Sequence, residues 1–203
     1  MNNKTLTLLA LAALSAGSLS ARGEYDEIAR LQAMNERVQG IRSMADGEHY
    51  TTLENNDIRR YAYATDSEGV SLLPSPAPNL AISDYAFSPD ERMILIASGR
   101  TPIYRHSYTT QYHLLADGRI RPVLQEAEAP RDASFSPDGR KIAYSDRNDL
   151  YVWDIATGKT QRITDDGAWN AVINGTTDWV YEEEFGTTRA YACLLYTSPS
   201  PRD

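Results

Sequence analysis

One turn occurs twice in this chain, and its spacing narrows the possible folds more than any other feature. The copies are Ala86-Phe87-Ser88-Pro89-Asp90-Glu91-Arg92-Met93-Ile94-Leu95 and Ser134-Phe135-Ser136-Pro137-Asp138-Gly139-Arg140-Lys141-Ile142-Ala143, and their first turn serines, Ser88 and Ser136, lie 48 residues apart. In each copy an aromatic strand end meets Ser-Pro-Asp and an apolar strand follows. Proline presets φ for the turn, and aspartate can bond the backbone beyond it. A weaker third copy, Met44-Ala45-Asp46-Gly47-Glu48-His49-Tyr50-Thr51-Thr52-Leu53, has Asp-Gly in place of Pro-Asp.

One full unit can be followed through the sequence. Strands are expected at 133–136, 141–145, 150–155 and 159–164, with turns at Pro137-Asp138-Gly139, Arg147-Asn148 and Ala156-Thr157-Gly158. Four short antiparallel strands at a period in the forties mark a β-propeller blade. A β-sandwich also has short strands, but the repeated turn and the four-strand count favour the propeller. The fold class is therefore all-β: a partial β-propeller of about three to four four-stranded blades over residues 40–192. Closed propellers need about 4–8 blades. A piece of this size is expected to leave an unpaired edge and to be poorly stable alone.

The two ends have a different character. Met1-Asn2-Asn3-Lys4 is a short positive segment, an apolar run follows from Thr5 to Ala16, and Ser18 and Ser20 are small residues at signal-peptidase spacing. Residues 1–20 thus resemble an export signal, with the mature start near Ala21 and a periplasmic or secreted bacterial location. The apolar run is too short to span a bilayer, so no membrane span is expected after cleavage. Tyr25, Ile28, Leu31, Met34 and Val38 recur at helical spacing and predict a short amphipathic helix within residues 21–39. Residues 193–203, Cys193 to Asp203, end in Ser-Pro-Ser-Pro-Arg-Asp, which cannot continue a sheet. They resemble a translated sequencing adapter, which would make the chain a truncated amino-terminal piece. Cys193 is the only cysteine, so an intrachain disulfide is impossible.

Net charge is −8, which gives no electrostatic reason to bind nucleic acid or an anionic membrane. Thirteen tyrosines against three phenylalanines suit half-exposed strands. His49, His106 and His113 lack metal-ligand spacing, and no cofactor is expected. Asn174-Gly175-Thr176 fits a glycosylation sequon but is better explained as a turn in an exported bacterial chain.

The chemistry concentrates in two segments. In Asp178-Trp179-Val180-Tyr181-Glu182-Glu183-Glu184-Phe185 an aromatic, β-forming run leads into three consecutive carboxylates. About eighty residues earlier, Tyr104-Arg105-His106-Ser107-Tyr108 places an arginine among aromatics. A carboxylate cluster framed in this way suits a cation, and a peptide's free amino end is one. An ammonium offers three donors, and charge-assisted bonds to carboxylates are strong. Glu183 and Glu184 against Arg105 leave one net negative charge for such a cation.

These two segments, with Arg42-Ser43-Met44-Ala45-Asp46-Gly47-Glu48-His49-Tyr50, Phe135-Ser136-Pro137-Asp138-Gly139 and Asn174-Gly175-Thr176-Thr177, resemble the amino-terminal propeller of the dipeptidyl peptidase IV family over roughly residues 38–192. That family joins a propeller to an α/β-hydrolase domain and removes dipeptides from free amino ends, usually after proline or alanine. The resemblance implies that Glu183 and Glu184 hold the substrate's α-ammonium. It implies that Arg105 contacts the carbonyl of the second residue from the scissile bond, and that peptides with a free amino terminus are the partners. Glu182 is expected to be structural or exposed.

No Gly-x-Ser-x-Gly elbow occurs in the 203 residues, and no Ser-His-Asp set can be assigned, so no catalytic residue is expected in this chain. Two other readings share parts of the pattern. A TolB-like binding propeller has the Ser-Pro-Asp-Gly turns without the Trp-Val-Tyr-Glu-Glu-Glu segment. A tripeptidyl relative measures the amino end at a different distance. Family members are often dimers, and the parent is expected to be a possible homodimer.

Overall fold

The computed structural model describes residues 39–65, 68–75 and 79–192. The expected export signal, the helix before residue 39 and the tail 193–203 lie outside these residues. Twelve strands run in chain order: β1 (Gln39–Ser43), β2 (His49–Glu54), β3 (Asp57–Ala62), β4 (Val70–Ser71), β5 (Ile82–Phe87), β6 (Met93–Pro102), β7 (Tyr108–Ala116), β8 (Arg119–Val123), β9 (Arg131–Phe135), β10 (Lys141–Asp146), β11 (Asp149–Asp154) and β12 (Thr160–Arg162). They form three four-stranded antiparallel sheets, β1-β2-β3-β4, β5-β6-β7-β8 and β9-β10-β11-β12. Each sheet is one propeller blade. The four strands expected in the third blade are present, with ends shifted by one or two residues.

The repeated turn joins the first two strands of every blade. Ser88 Oγ donates to Asp90 Oδ1 (2.7 Å), which also accepts the Arg92 N–H (3.2 Å), and the Met93 N–H returns to Ser88 Oγ (2.9 Å). In the next blade Ser136, Asp138, Arg140 and Lys141 repeat these bonds at 2.6, 3.0 and 2.9 Å. The first blade lacks the serine, but Asp46 Oδ1 accepts the Glu48 and His49 N–H groups (2.9 and 3.0 Å). The residue after each aspartate is left-handed: Gly47 at φ 70°, Gly139 at φ 67° and, against its preference, Glu91 at φ 56°.

Blades are held together by strands buried on both faces. Ile94, Leu95, Ile96 and Ala97 of β6 are all buried. Alternate side chains leave a strand on opposite sides. Ile94 and Ile96 enter a core with Ile58, Leu73, Tyr85 and Leu115, between the first and second blades. Leu95 and Ala97 enter another with Tyr112, Leu114, Ile142, Tyr144 and Trp153, between the second and third. Tyrosines bridge the same junctions by their hydroxyls. Tyr85 OH bonds Gly40 O (2.5 Å) and Thr51 Oγ1 (2.8 Å), and Tyr112 OH accepts the Ala133 N–H (3.1 Å).

The middle hairpin differs between blades. Two-residue turns with both residues left-handed close β2–β3 (Asn55, Asn56) and β10–β11 (Arg147, Asn148), as tight hairpins prefer. In the second blade β6 and β7 run on past a bulge at residues 98–101 to the pair Pro102↔Tyr108. Left-handed Gly99 (φ 65°) lies in this bulge. A five-residue loop, Ile103–Ser107, sits at the tip. It is closed by the Ile103 N–H to Ser107 O (2.9 Å).

After β12 the described chain forms no fourth sheet. Residues 163–192 contain two isolated bridges, Ala168↔Val172 and Thr176↔Arg189, and one helix, α1 (Trp179–Phe185). Among the described residues no helix is long and apolar enough to cross a membrane.

Two stability effects follow. The bonds from Ser136 Oγ and the Arg140 N–H hold the Asp138 carboxyl below its ordinary value of 3.8. A lowered folded-state pKa stabilises fully above the unfolded value and stops doing so as pH falls through the folded one. Asp138→Ala should lower Tm by a constant amount at neutral pH, and melts at stepped pH should show that gap narrowing only below about pH 4. Gly175 is left-handed (φ 79°), and a Cβ there would lie 2.4 Å from Ser145 Oγ and 3.2 Å from Leu150 Cδ1. Gly175→Ala should cost at least about 2 kcal/mol in denaturant unfolding, from strain and overpacking together.

Candidate amino-end recognition site

The run Trp179-Val180-Tyr181 is expected to be β-forming from its aromatic and branched residues, and the structure overturns this: it opens the helix α1. The ends decide. Asp178 is extended (φ −75°, ψ 171°) and its carboxylate accepts the Tyr181 N–H (3.1 Å), a standard amino-terminal cap. Gly186 adopts φ 62° and its N–H returns to Glu182 O (3.1 Å), while the Thr187 N–H reaches Tyr181 O (3.2 Å). Capping at both ends outweighs the weak helix propensity of Trp, Val and Tyr.

The helix separates the three carboxylates. At 3.6 residues per turn, neighbours leave the axis about 100° apart. Glu182 points inward and is 2% exposed. Glu183 lies at the edge, with its side chain 10% exposed. Glu184 faces solvent and makes no ion pair among the described residues.

Glu183 meets the long hairpin of the second blade. The backbone N–H of Arg105 donates to Glu183 Oε1 (3.1 Å), and Arg105 Nε lies 3.5 Å from Glu183 Oε2. Residues 78 positions apart are thus joined through both oxygens of one carboxylate. The Arg105 side chain is 74% exposed, so most of the guanidinium stays open to solvent. A carboxylate has about four acceptor positions. Two are used here, and others remain for an incoming donor. With Glu184 alongside, the pair of acids carries one negative charge more than Arg105 neutralises. His106, next to Arg105, is exposed and stands apart from this contact.

Glu182, expected to be structural or exposed, is structural and buried. Arg131 Nη2 donates to its Oε1 (2.6 Å), while Arg131 Nε donates to Asp132 Oδ2 (2.9 Å). Both side chains of the Arg131–Glu182 pair are nearly solvent-free. Burial opposes the Arg131 charge, but the bonds to Glu182 and Asp132 outweigh it and raise its pKa above arginine's usual range. Asp132, left-handed at φ 57°, also accepts from Thr188 Oγ1. The Tyr191 hydroxyl bonds the backbone at Asp132 and at Ala143 (2.8 Å), and burial pushes its pKa up to about 12. The start of β9 thus holds both α1 and the chain that follows it.

A cavity of about 540 Å³ opens beside the site, with Tyr104, Trp169, Ile173, Trp179, Arg131 and Glu182 among the residues that line it. Of the residues named from the sequence, the structure brings Arg105 and Glu183 together and leaves Glu184 facing solvent, while Arg131 and Asp132 were not singled out. The available signal was the triple carboxylate itself. Three successive acids on any regular element cannot face one ligand, and one that turns inward needs a cation elsewhere in the chain.

The chain is similar to known proteins over most of its described length. The family profile described as the dipeptidyl peptidase IV (DPP IV) N-terminal region matches residues 88–193. Dipeptidyl peptidase 4 of Sus scrofa is 35% identical over 159 residues, which are 76% of this chain and 20% of that protein. Dipeptidyl peptidase 4 of Trichophyton rubrum is 35% identical over 147 residues, 71% of this chain and 18% of that protein. The crystal structure of Porphyromonas gingivalis dipeptidyl peptidase 4 superposes with a TM-score of 0.67 at 35% identity, covering 74% of this chain and 23% of that one. The chain spans about a fifth of the length of the curated relatives it matches. With the site segments lying inside the matched region, the chain belongs to the dipeptidyl peptidase IV family, as part of its N-terminal region.

Proposed function

We propose that this chain is the substrate-gating and amino-end-recognition part of an exported serine dipeptidyl peptidase that releases X-Pro and X-Ala dipeptides. The observation that carries the reading is Glu183. It is a mostly buried carboxylate held by the Arg105 backbone and guanidinium, with the exposed Glu184 next to it.

An exopeptidase must measure length from a free amino end. A fixed carboxylate does so, because an ammonium completes its empty acceptor positions and an acylated amine cannot. Arg105 keeps free donors for a substrate carbonyl while its main chain orients Glu183. Binding energy gathered here would place the scissile carbonyl for a nucleophile supplied by a hydrolase domain outside this chain. The 203 residues contain no nucleophile elbow, so the chain itself gates and binds. The apolar amino-terminal run supports export, to the periplasm or beyond it. The TolB-like alternative is weaker, since such modules share the Ser-Pro-Asp-Gly turns and not the segment that builds this site.

In the full-length peptidase carrying this region, Glu183→Gln and Glu184→Gln should each lower kcat/KM on a glycyl-prolyl chromogenic substrate by roughly 10- to 100-fold, the value of one or two charge-assisted bonds. Unchanged turnover by Glu183→Gln would defeat the reading. The isolated 203-residue chain should release no chromophore.

A further inference from the structure

The Arg131–Glu182 pair has features that holding the fold together does not require. It is a single strong contact, 2.6 Å long, between the first strand of the third blade and the middle of α1. Glu182 Oε2 is buried and has no hydrogen-bond partner, so Arg131 alone neutralises this carboxylate. Buried ion pairs are weak sources of stability and are better attested as devices that fix one arrangement among several.

The arrangement fixed here is the rotation of a very short helix. Seven residues are too few for a helix to be stable by itself. The caps at Asp178 and Gly186 fix where α1 starts and stops, and they leave its turn about its own axis less defined. Trp179, Val180, Tyr181 and Phe185 are all at least half exposed, so no apolar ridge keys that face into a core. Glu182 is the one fully buried side chain of the helix. Glu183 follows it by about 100° of helical rotation. The direction of Glu182 therefore sets the direction of Glu183. Arg131 is itself clamped by Asp132, which Thr188 and Tyr191 hold from the far side of the helix.

We propose that Arg131 is a positioning residue of the amino-end site: through Glu182 it sets the rotation of α1 and so aims Glu183 at the substrate ammonium. This rests on the reading of Glu183 as an ammonium ligand. Arg131 touches no substrate, and its effect reaches the peptide only through Glu183.

The test uses the full-length peptidase and two substrates. One is a glycyl-prolyl anilide. The other is the acetyl-prolyl anilide, which is the same molecule without the amine. Two variants are compared, Arg131→Met and the double variant Arg131→Met with Glu182→Met, which removes both charges of the pair and leaves Asp132 its bond from Thr188 Oγ1. The double variant should recover thermal stability lost by the single one. In both, KM for the glycyl substrate should rise roughly 10- to 100-fold, with kcat and the rate on the acetyl substrate changing less than about 3-fold. If the double variant regains wild-type KM along with stability, the pair is only structural and the inference is overturned. Equal losses on both substrates overturn it as well. If Arg131→Met does not fold, the double variant carries the same test. Glu183→Gln is run in parallel. If it raises KM while both Arg131 variants stay at wild-type KM, only this inference fails. If Glu183→Gln leaves KM unchanged, the amino-end reading fails first and takes this inference with it.

Discussion

Everything in this molecule hangs on strands that are apolar on both faces. A four-stranded blade cannot bury its own surface, and β6 shows how neighbours do it. Ile94 and Ile96 belong to one core and Leu95 and Ala97 to the next, so a single strand couples three blades. Burying a side chain such as Ile94, Leu95 or Ile96 contributes about 1.5–3 kcal/mol, against about 0.5–1.5 kcal/mol for a typical neutral hydrogen bond. The site inherits its geometry from this stacking. Arg105 comes from the second blade, Arg131 from the third and Glu183 from the chain beyond it. These residues can meet only while the core between the second and third blades holds those blades together.

Within that frame, the departures from regularity are what build the site. Blades one and three close their middle hairpins with two left-handed residues and nothing more. The second blade carries β6 and β7 past a bulge and adds a loop, and Arg105 stands at its tip. The third blade is followed by a capped helix instead of another strand. Both departures lie outside the two cores, so they bring Arg105 and Glu183 together without altering the packing that positions them.

The regular part of the fold was readable from the sequence because its signals are local. Ser88-Pro89-Asp90 and Ser136-Pro137-Asp138 specify their turns through bonds within five residues, and strands β9 to β12 fall within two residues of their expected ends. The helix was not readable in the same way. Trp179, Val180 and Tyr181 favour a strand, and the deciding groups are a cap at Asp178, a left-handed Gly186 and a salt bridge from 51 residues away. Arg105, Glu183 and Glu184 stood out through their aromatic surroundings. Arg131 did not, since its partner lies in α1, 51 residues further on, and nothing near it in sequence announces that contact.

On the proposed amino-end reading, the hydrogen bond from the Arg105 main chain to Glu183 separates two kinds of selectivity. One oxygen of the carboxylate is held by a group that every residue except proline possesses. The side chain at position 105 could therefore drift over evolutionary time and retune what the loop offers to the rest of a peptide. The carboxylate would meanwhile keep half of its anchoring. A recognition surface of this kind can diversify without first giving up its reference point.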